Sequence, residues 1–470
     1  MNTVRFFNSG TIFKIKYLLL LVLGGLLLSG CGTTKSALNP KDPVSIVVWH
    51  YYNGTQKSAF DNLVREFNDT VGTEQGIIVS TQSKGDVIDL AAAVTDSAQS
   101  KVGSDELPDI FATYVDTAYL LYEQNLLVNL KDYITQEELN DYIPDFLAEG
   151  MLKKDELYVM PVAKSTELLY LNETDWAPFA AETGANSSSF STWEELAQVA
   201  EQYYNWSGGK AFFGRDAFAN YLIVGSHQME SDIFKASSSG VTIQLKDDVM
   251  KRLWDCYCVP YLKGYYGAYG RFRSDDVKTG DLIACVGSTS SIAYYPQEVI
   301  SADGSSRPIT SKAYALPDFK DTKECSVQQG AGMAVLKSDV SHETASAVFL
   351  KWFTDVTQNT KFCSESGYFP VKLEAGTSKN MENAYANIEH VSDLLLENAL
   401  LGVEAITSQE LYTNPPFDNG SKYRGILTSY MTDWLDTHKP SLEGLTSDEV
   451  NLALENLFTQ WLSGLKHDLQ

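Results

Sequence analysis

Cysteine, histidine and positive charge are all scarce in this chain. Its 470 residues include six cysteines and six histidines, and 36 basic residues face 61 acidic ones, for a formal charge of −25. That balance excludes nucleic-acid binding, which needs a basic face. No HExxH pair or GxSxG elbow occurs. Gly208-Gly209-Lys210 lacks the upstream glycine and following hydroxyl residue of a phosphate loop, and Gly264, Gly267 and Gly270 do not make GxGxxG. Asp275-Asp276 and Asp281 read as a solvated acidic turn. We therefore expect no metal and no cofactor. Five cysteines follow residue 31: Cys256, Cys258, Cys285, Cys325 and Cys363. An odd, scattered set is a poor disulfide framework, and these read as small buried apolar residues. Internal repeats are absent as well.

Only one long apolar run is present, and it lies at the start. Arg5, Lys14 and Lys16 precede the run Tyr17 to Leu28, and Leu28-Ser29-Gly30-Cys31 closes it. A basic beginning, a short apolar stretch and small residues at the end make a secretory signal over residues 1–30. The run is too short for a membrane-spanning helix, which needs about 20 residues. Leu-Ser-Gly-Cys resembles the bacterial lipobox, in which the cysteine is lipidated and becomes the new N-terminus. The mature chain is thus expected to start at Cys31, anchored by acyl chains on the outer face of the cytoplasmic membrane, with 31–43 as anchor and tether. Residues 1–30 hold three basic residues and no acidic one, so the remainder carries −28, three below −25. Roughly 440 residues remain, more than one core holds, which points to two lobes.

Aromatic residues make up 12%, with 26 Tyr and 8 Trp. Each joins an apolar face to a polar edge, which suits a sugar pocket and also suits a large core. Val44 to Trp49 reads as a buried strand, followed by the loop 50–54. Phe60, Leu63, Val64 and Phe67 mark one helix face. Ile77-Ile78-Val79 is a second strand, Val87, Leu90, Ala91 and Val94 mark a second helix, and Pro108-Asp109-Ile110-Phe111 leads a third strand. This alternation begins an open α/β sheet, in which ligands bind at the carboxyl ends of strands. Further strands are expected around Ala163-Lys164-Ser165-Thr166, over 282–286, 312–316 and 333–336. Thr192-Trp193-Glu194-Glu195 is a capping box. One closing helix carries Ile426, Leu427, Tyr430 and Trp434, and another carries Leu454, Leu457, Phe458 and Trp461.

The order of these segments resembles the extracellular solute-binding proteins of bacterial ABC importers. The similar branch is the carbohydrate group that includes maltose-binding and glycerol-phosphate-binding proteins. Four stretches carry the resemblance: Val47-Val48-Trp49-His50-Tyr51 with Phe67-Asn68; Leu107-Pro108-Asp109-Ile110 with Asp116 and 126–130; Thr166 to Asn172; and Ser366-Gly367-Tyr368-Phe369-Pro370-Val371. At Asn172-Glu173-Thr174-Asp175 the chain departs from the family, which more often starts a lysine-containing helix there. The resemblance implies a two-lobed periplasmic-binding-protein-like α/β fold with discontinuous lobes and a hinge. Residues 44–160 with 311–370 would form one lobe and 161–310 with 371–470 the other, crossing near 160–168, 306–312 and 370–376. It also implies a monomer that captures a carbohydrate and delivers it to a membrane ABC permease without chemistry. A surface glycosidase remains an alternative, because its paired carboxylates are assembled in space; a sensory sugar-binding lipoprotein is another.

Candidate ligand contacts follow. Tyr51 and Tyr52, at a strand's carboxyl end, would stack on a sugar or pack within a lobe. Asp116 would accept sugar hydroxyls or cap a helix. Ser165, Thr166 and Glu167 lie at the expected crossover, where the alternative is hinge packing. Ser288 and Ser290 follow a strand, where N–H groups and hydroxyls hold ligand oxygens or cap a helix. Tyr368 sits in a turn similar to one lining the family's cleft. Arg424 aligns with an arginine that contacts ligand in the glycerol-phosphate branch; its alternative is a surface ion pair.

Overall fold

A computed structural model describes residues 38–470 except 238–239, 387, 389–391 and 418. The expected signal, Cys31 and most of the tether lie outside the described residues. None of the described helices is long and apolar enough to cross a membrane.

Nine strands build two sheets: β1 Val44–His50, β2 Ile77–Ser83, β3 Ile110–Thr113, β4 Val159–Met160, β5 Glu167–Asn172, β6 Phe213–Arg215, β7 Ala284–Ser288, β8 Ser311–Tyr314 and β9 Gly332–Val335. The first sheet has the order β2-β1-β3-β9-β4, with β1 parallel to β2 and β3, and β9 antiparallel to β3 and β4. The second has the order β8-β5-β7-β6. Each sheet is sandwiched by helices, and each has its own core. Trp49, Phe60, Phe111, Phe349 and Phe362 fill the first; Trp176, Trp193, Tyr257 and Trp461 fill the second. The helix Gly54–Phe67 forms because Phe60, Leu63, Val64 and Phe67 align on one face, which it buries against the first sheet.

The chain passes between the sheets three times. The first passage is 161–166, from β4 to β5. The second runs from β8 to β9, residues 315–331. It falls later than 306–312, because Ser311–Tyr314 pairs with Leu169–Asn172 and so belongs to the second sheet. The third lies between Tyr368, in the first core, and the helix Asp393–Ser408, which packs on β8. The passages touch side by side. Lys164 and Phe369 exchange backbone hydrogen bonds (3.0 and 2.6 Å), as do Ser165 and Gln329 (both 2.9 Å). Gly330 permits this: it holds φ +91°, and a Cβ there would meet the Ala163 carbonyl oxygen at 2.5 Å.

Two expected elements differ in detail. The closing helix breaks at Thr432, giving Gly420–Met431 and Asp433–His438. Thr192 does cap the helix Trp193–Trp206, but the Glu195 carboxylate bonds the Thr192 hydroxyl (3.1 Å). The five cysteines from Cys256 to Cys363 are buried free thiols.

Candidate functional site

The first sheet's β3 ends at Thr113, and Tyr114, Val115 and Asp116 follow at its carboxyl end, opening the helix Val115–Glu123. From the second lobe, the helices Phe218–Gln228 and Gly420–Met431 present Asn220 and Arg424. Between these surfaces lies a cavity of about 690 Å³. The second passage supplies Gln328 and Gln329 to its lining. Val87, Ile88 and Ala91 give one apolar wall, and Tyr412 to Asn414 another edge. Both lobes and a hinge strand thus contribute, the arrangement by which a ligand stabilises closure.

The polar groups form a connected network. Glu167, 2% exposed, accepts from Arg215 Nη2 (2.7 Å), Asn220 Nδ2 (2.9 Å) and Gln329 Nε2 (3.3 Å). Asn220 in turn accepts from Arg424 Nη2 at 2.6 Å. On the other side of the cavity, Glu149 is ion-paired with the buried Lys164, whose Nζ also donates to the Gly330 carbonyl at 2.7 Å. Gln328 Nε2 donates to Glu149 at 2.5 Å. Burial pushes the Asp116 carboxyl above its ordinary value; the Arg424 guanidinium opposes the shift and Glu149 adds to it. Asp116 also meets the second lobe, since a Cβ added to Gly420 would lie 2.8 Å from its Oδ1.

Of the expected contacts, the cavity brings together Asp116 and Arg424. Glu167 stands one bond behind it, engaged with Arg215 rather than open to a ligand. Ser165 is buried in the paired passages. Tyr52 is a core residue, 1% exposed, against His50, Phe60 and Phe362. A strand-end aromatic that points inward completes the first core instead of offering a face to ligand. Tyr51, Tyr368, Ser288 and Ser290 form a separate cluster. The two tyrosine hydroxyls lie 3.2 Å apart, and the serine hydroxyls 3.0 Å apart. Gln56 Nε2 of the first lobe donates to the Ser290 carbonyl at 3.0 Å. This cluster joins the lobes outside the cavity lining. Tyr114 and Val115, in the segment 113–116 that stands out at a strand's carboxyl end, line the cavity too. Glu149, Asn220, Gln328, Gln329 and Asn414 line it without any signal in the sequence. Among the described residues no cluster of three or more His, Cys, Asp or Glu side chains could hold a metal.

Two α/β lobes, three side-by-side passages and a cavity shared between the lobes define a hinged binding protein. The chain belongs to the bacterial extracellular solute-binding protein family, whose sequence profile matches residues 62–388. Solved structures share the fold at low identity. The ABC substrate-binding protein Lmo0181 from Listeria monocytogenes, in complex with cycloalternan, has a TM-score of 0.66 at 14% identity, covering 90% of this chain and 100% of that one. UgpB from Mycobacterium tuberculosis, in complex with glycerophosphocholine, has 0.65 at 18%, covering 91% and 98%. The cyclic alpha-maltosyl-1,6-maltose binding protein from Arthrobacter globiformis has 0.64 at 18%, covering 91% and 99%. No curated protein matches the chain in sequence.

Proposed function

We propose that the protein captures a carbohydrate in the interlobe cavity and passes it unchanged to a membrane ABC permease, while acyl chains on Cys31 hold it at the outer membrane face. The cavity carries this reading: it draws on both lobes and a hinge strand, so filling it favours the closed form. Its apolar wall of Val87, Ile88 and Ala91 suits the C–H face of a sugar, and Asp116 and Arg424 suit hydroxyls. Structural relatives that bind cycloalternan and cyclic maltosyl-maltose support the ligand class. The lipobox-like Leu28-Ser29-Gly30-Cys31 supports the anchor.

A glycosidase would need a proton-donating carboxyl opposite a second free carboxylate. Glu149 is tied to Lys164 and Gln328, which leaves Asp116 and Asp433 as the pair such an enzyme would have to use, and the fate of the sugar decides between the readings. The test is thermal unfolding with maltotriose, mannobiose and cycloalternan, with chromatography of each sugar after long incubation. A ligand at 100 times its Kd adds about 2.7 kcal/mol of stability, a shift of several degrees. A shift with the sugar recovered intact is expected. Cleaved product would transfer the function to the glycosidase, and no response to any saccharide would discard carbohydrate capture.

A further inference from the structure

The side-chain amides that line the cavity turn their donors toward carboxylates. Gln328 Nε2 donates to Glu149 and Gln329 Nε2 to Glu167. A carboxylate only accepts, so each amide is turned with its NH₂ toward the protein. Gln328 Oε1 and Gln329 Oε1 take no hydrogen bond from the described residues, and both residues line the cavity. Asn220 Nδ2 is likewise engaged by Glu167. Asn414 Oδ1 is buried without a hydrogen-bond partner among the described residues. An orphaned buried acceptor is costly unless a ligand donates to it.

The charges follow the same pattern. Arg424 is the one cation in the lining, against three carboxylates, Asp116, Glu149 and Asp433. It already donates to Asn220, and its field acts on Asp116. Lys164, behind the wall, is paired with Glu149, and Arg215 with Glu167. Arg424, Lys164 and Arg215 thus each already have an acceptor or carboxylate partner. Phosphate and carboxylate groups bring only acceptors and negative charge, whereas a hydroxyl can donate.

We propose that the cavity selects an uncharged, hydroxyl-rich ligand and rejects phosphorylated and acidic sugars. This rests on the carbohydrate reading and narrows it, setting this chain apart from its structural relative that holds glycerophosphocholine. The hydroxyls donate to Asn414, Gln328, Gln329 and Asp116, and Arg424 supplies the one strong donor to a ligand oxygen.

The experiment is calorimetry on the full protein with matched pairs: maltose against maltose 1-phosphate, and glucose against glucose 6-phosphate and glucuronate, with glycerophosphocholine added. Neutral members should bind at least tenfold tighter than their anionic counterparts, and Asp116→Asn should narrow the gap. Equal or tighter binding of any anionic member, or of glycerophosphocholine, overturns the proposal even if saccharides bind. A ligand-independent arm uses inorganic phosphate alone. It should shift the melting temperature no more than chloride at equal ionic strength; a phosphate-specific shift lost in Arg424→Ala overturns the charge argument. If no saccharide binds and phosphate does not either, the carbohydrate reading fails and the selection that rests on it falls with it, an outcome distinct from saccharides binding with no preference over their anionic counterparts.

Discussion

Asn220 holds Arg424 by its oxygen and Glu167 by its nitrogen, at 2.6 and 2.9 Å. Because Glu167 can only accept, the amide has one orientation, and that orientation aims an acceptor at the guanidinium. A residue at the hinge thereby sets the posture of a residue in the cavity. Arg424→Ala should weaken ligand binding roughly ten- to hundredfold, since hydrogen bonds from charged groups contribute about 1.5–3 kcal/mol. Asn220→Ala should also weaken it, and the double variant should be no worse than Arg424→Ala alone. Calorimetry on the three variants reads this directly, and additive losses would show that Asn220 does not act through Arg424.

Tyr52→Ala is expected to act on stability rather than on the ligand. Its ring packs with His50, Phe60 and Phe362, and truncating a buried aromatic costs about 3–5 kcal/mol. Denaturant titration should show that loss. An unchanged midpoint with weakened binding would return Tyr52 to the ligand site.

Gly420→Ala should keep the lobes from closing fully. The added methyl would lie 2.8 Å from Asp116 Oδ1, across the interface between lobes. Gly425, five residues on, has nothing within 4 Å of the same position. Scattering with saturating sugar should give a larger radius for Gly420→Ala than for Gly425→Ala, with weaker affinity. Identical profiles would mean that the carboxylate simply moves aside.

Asp216 makes stability fall as pH rises. Burial pushes its carboxyl up to about 6, with Arg273 opposing, against about 4 in the unfolded chain. The folded state therefore binds more protons between these values, so this contribution is complete below about pH 4 and lost by about pH 6. Two units correspond to at most roughly 3 kcal/mol. Asp216→Asn should flatten the pH dependence of unfolding over that window. A variant that keeps the full slope would place the titration elsewhere.

The start of the first α/β sheet was legible from local patterns because short apolar runs alternate with helix faces spaced at three and four residues; the two lobes were legible from chain length and from the family resemblance. The second passage was not, since Ser311–Tyr314 reads as a strand but nothing local tells which sheet it joins. At the site, Asp116 stood out as a charge after a strand, and Arg424 through its resemblance to a ligand-contacting arginine of the glycerol-phosphate branch. Glu167 looked available because its partner Arg215 lies 48 residues on and meets it only in the fold. Tyr52 looked exposed, yet the Phe60 to Phe67 face needed a cover, and the tyrosine is part of it. Gln328, Gln329 and Asn414 sit in irregular segments, where no periodicity marks a residue as facing a cavity.

β9 lies between β3 and β4, and among the described residues it is the only strand that β4 pairs with. The first lobe's sheet is therefore incomplete until residue 335 has been made, by which time every strand of the second sheet is already present. The second lobe is not finished then either, because its core waits for Leu427, Tyr430 and Trp461 near the end of the chain. Each lobe waits on later residues, so this protein is poorly suited to folding lobe by lobe as it emerges and well suited to folding after release as a whole chain. Fragments ending before β9 should behave as unfinished edges prone to pairing with one another, not as small independent domains.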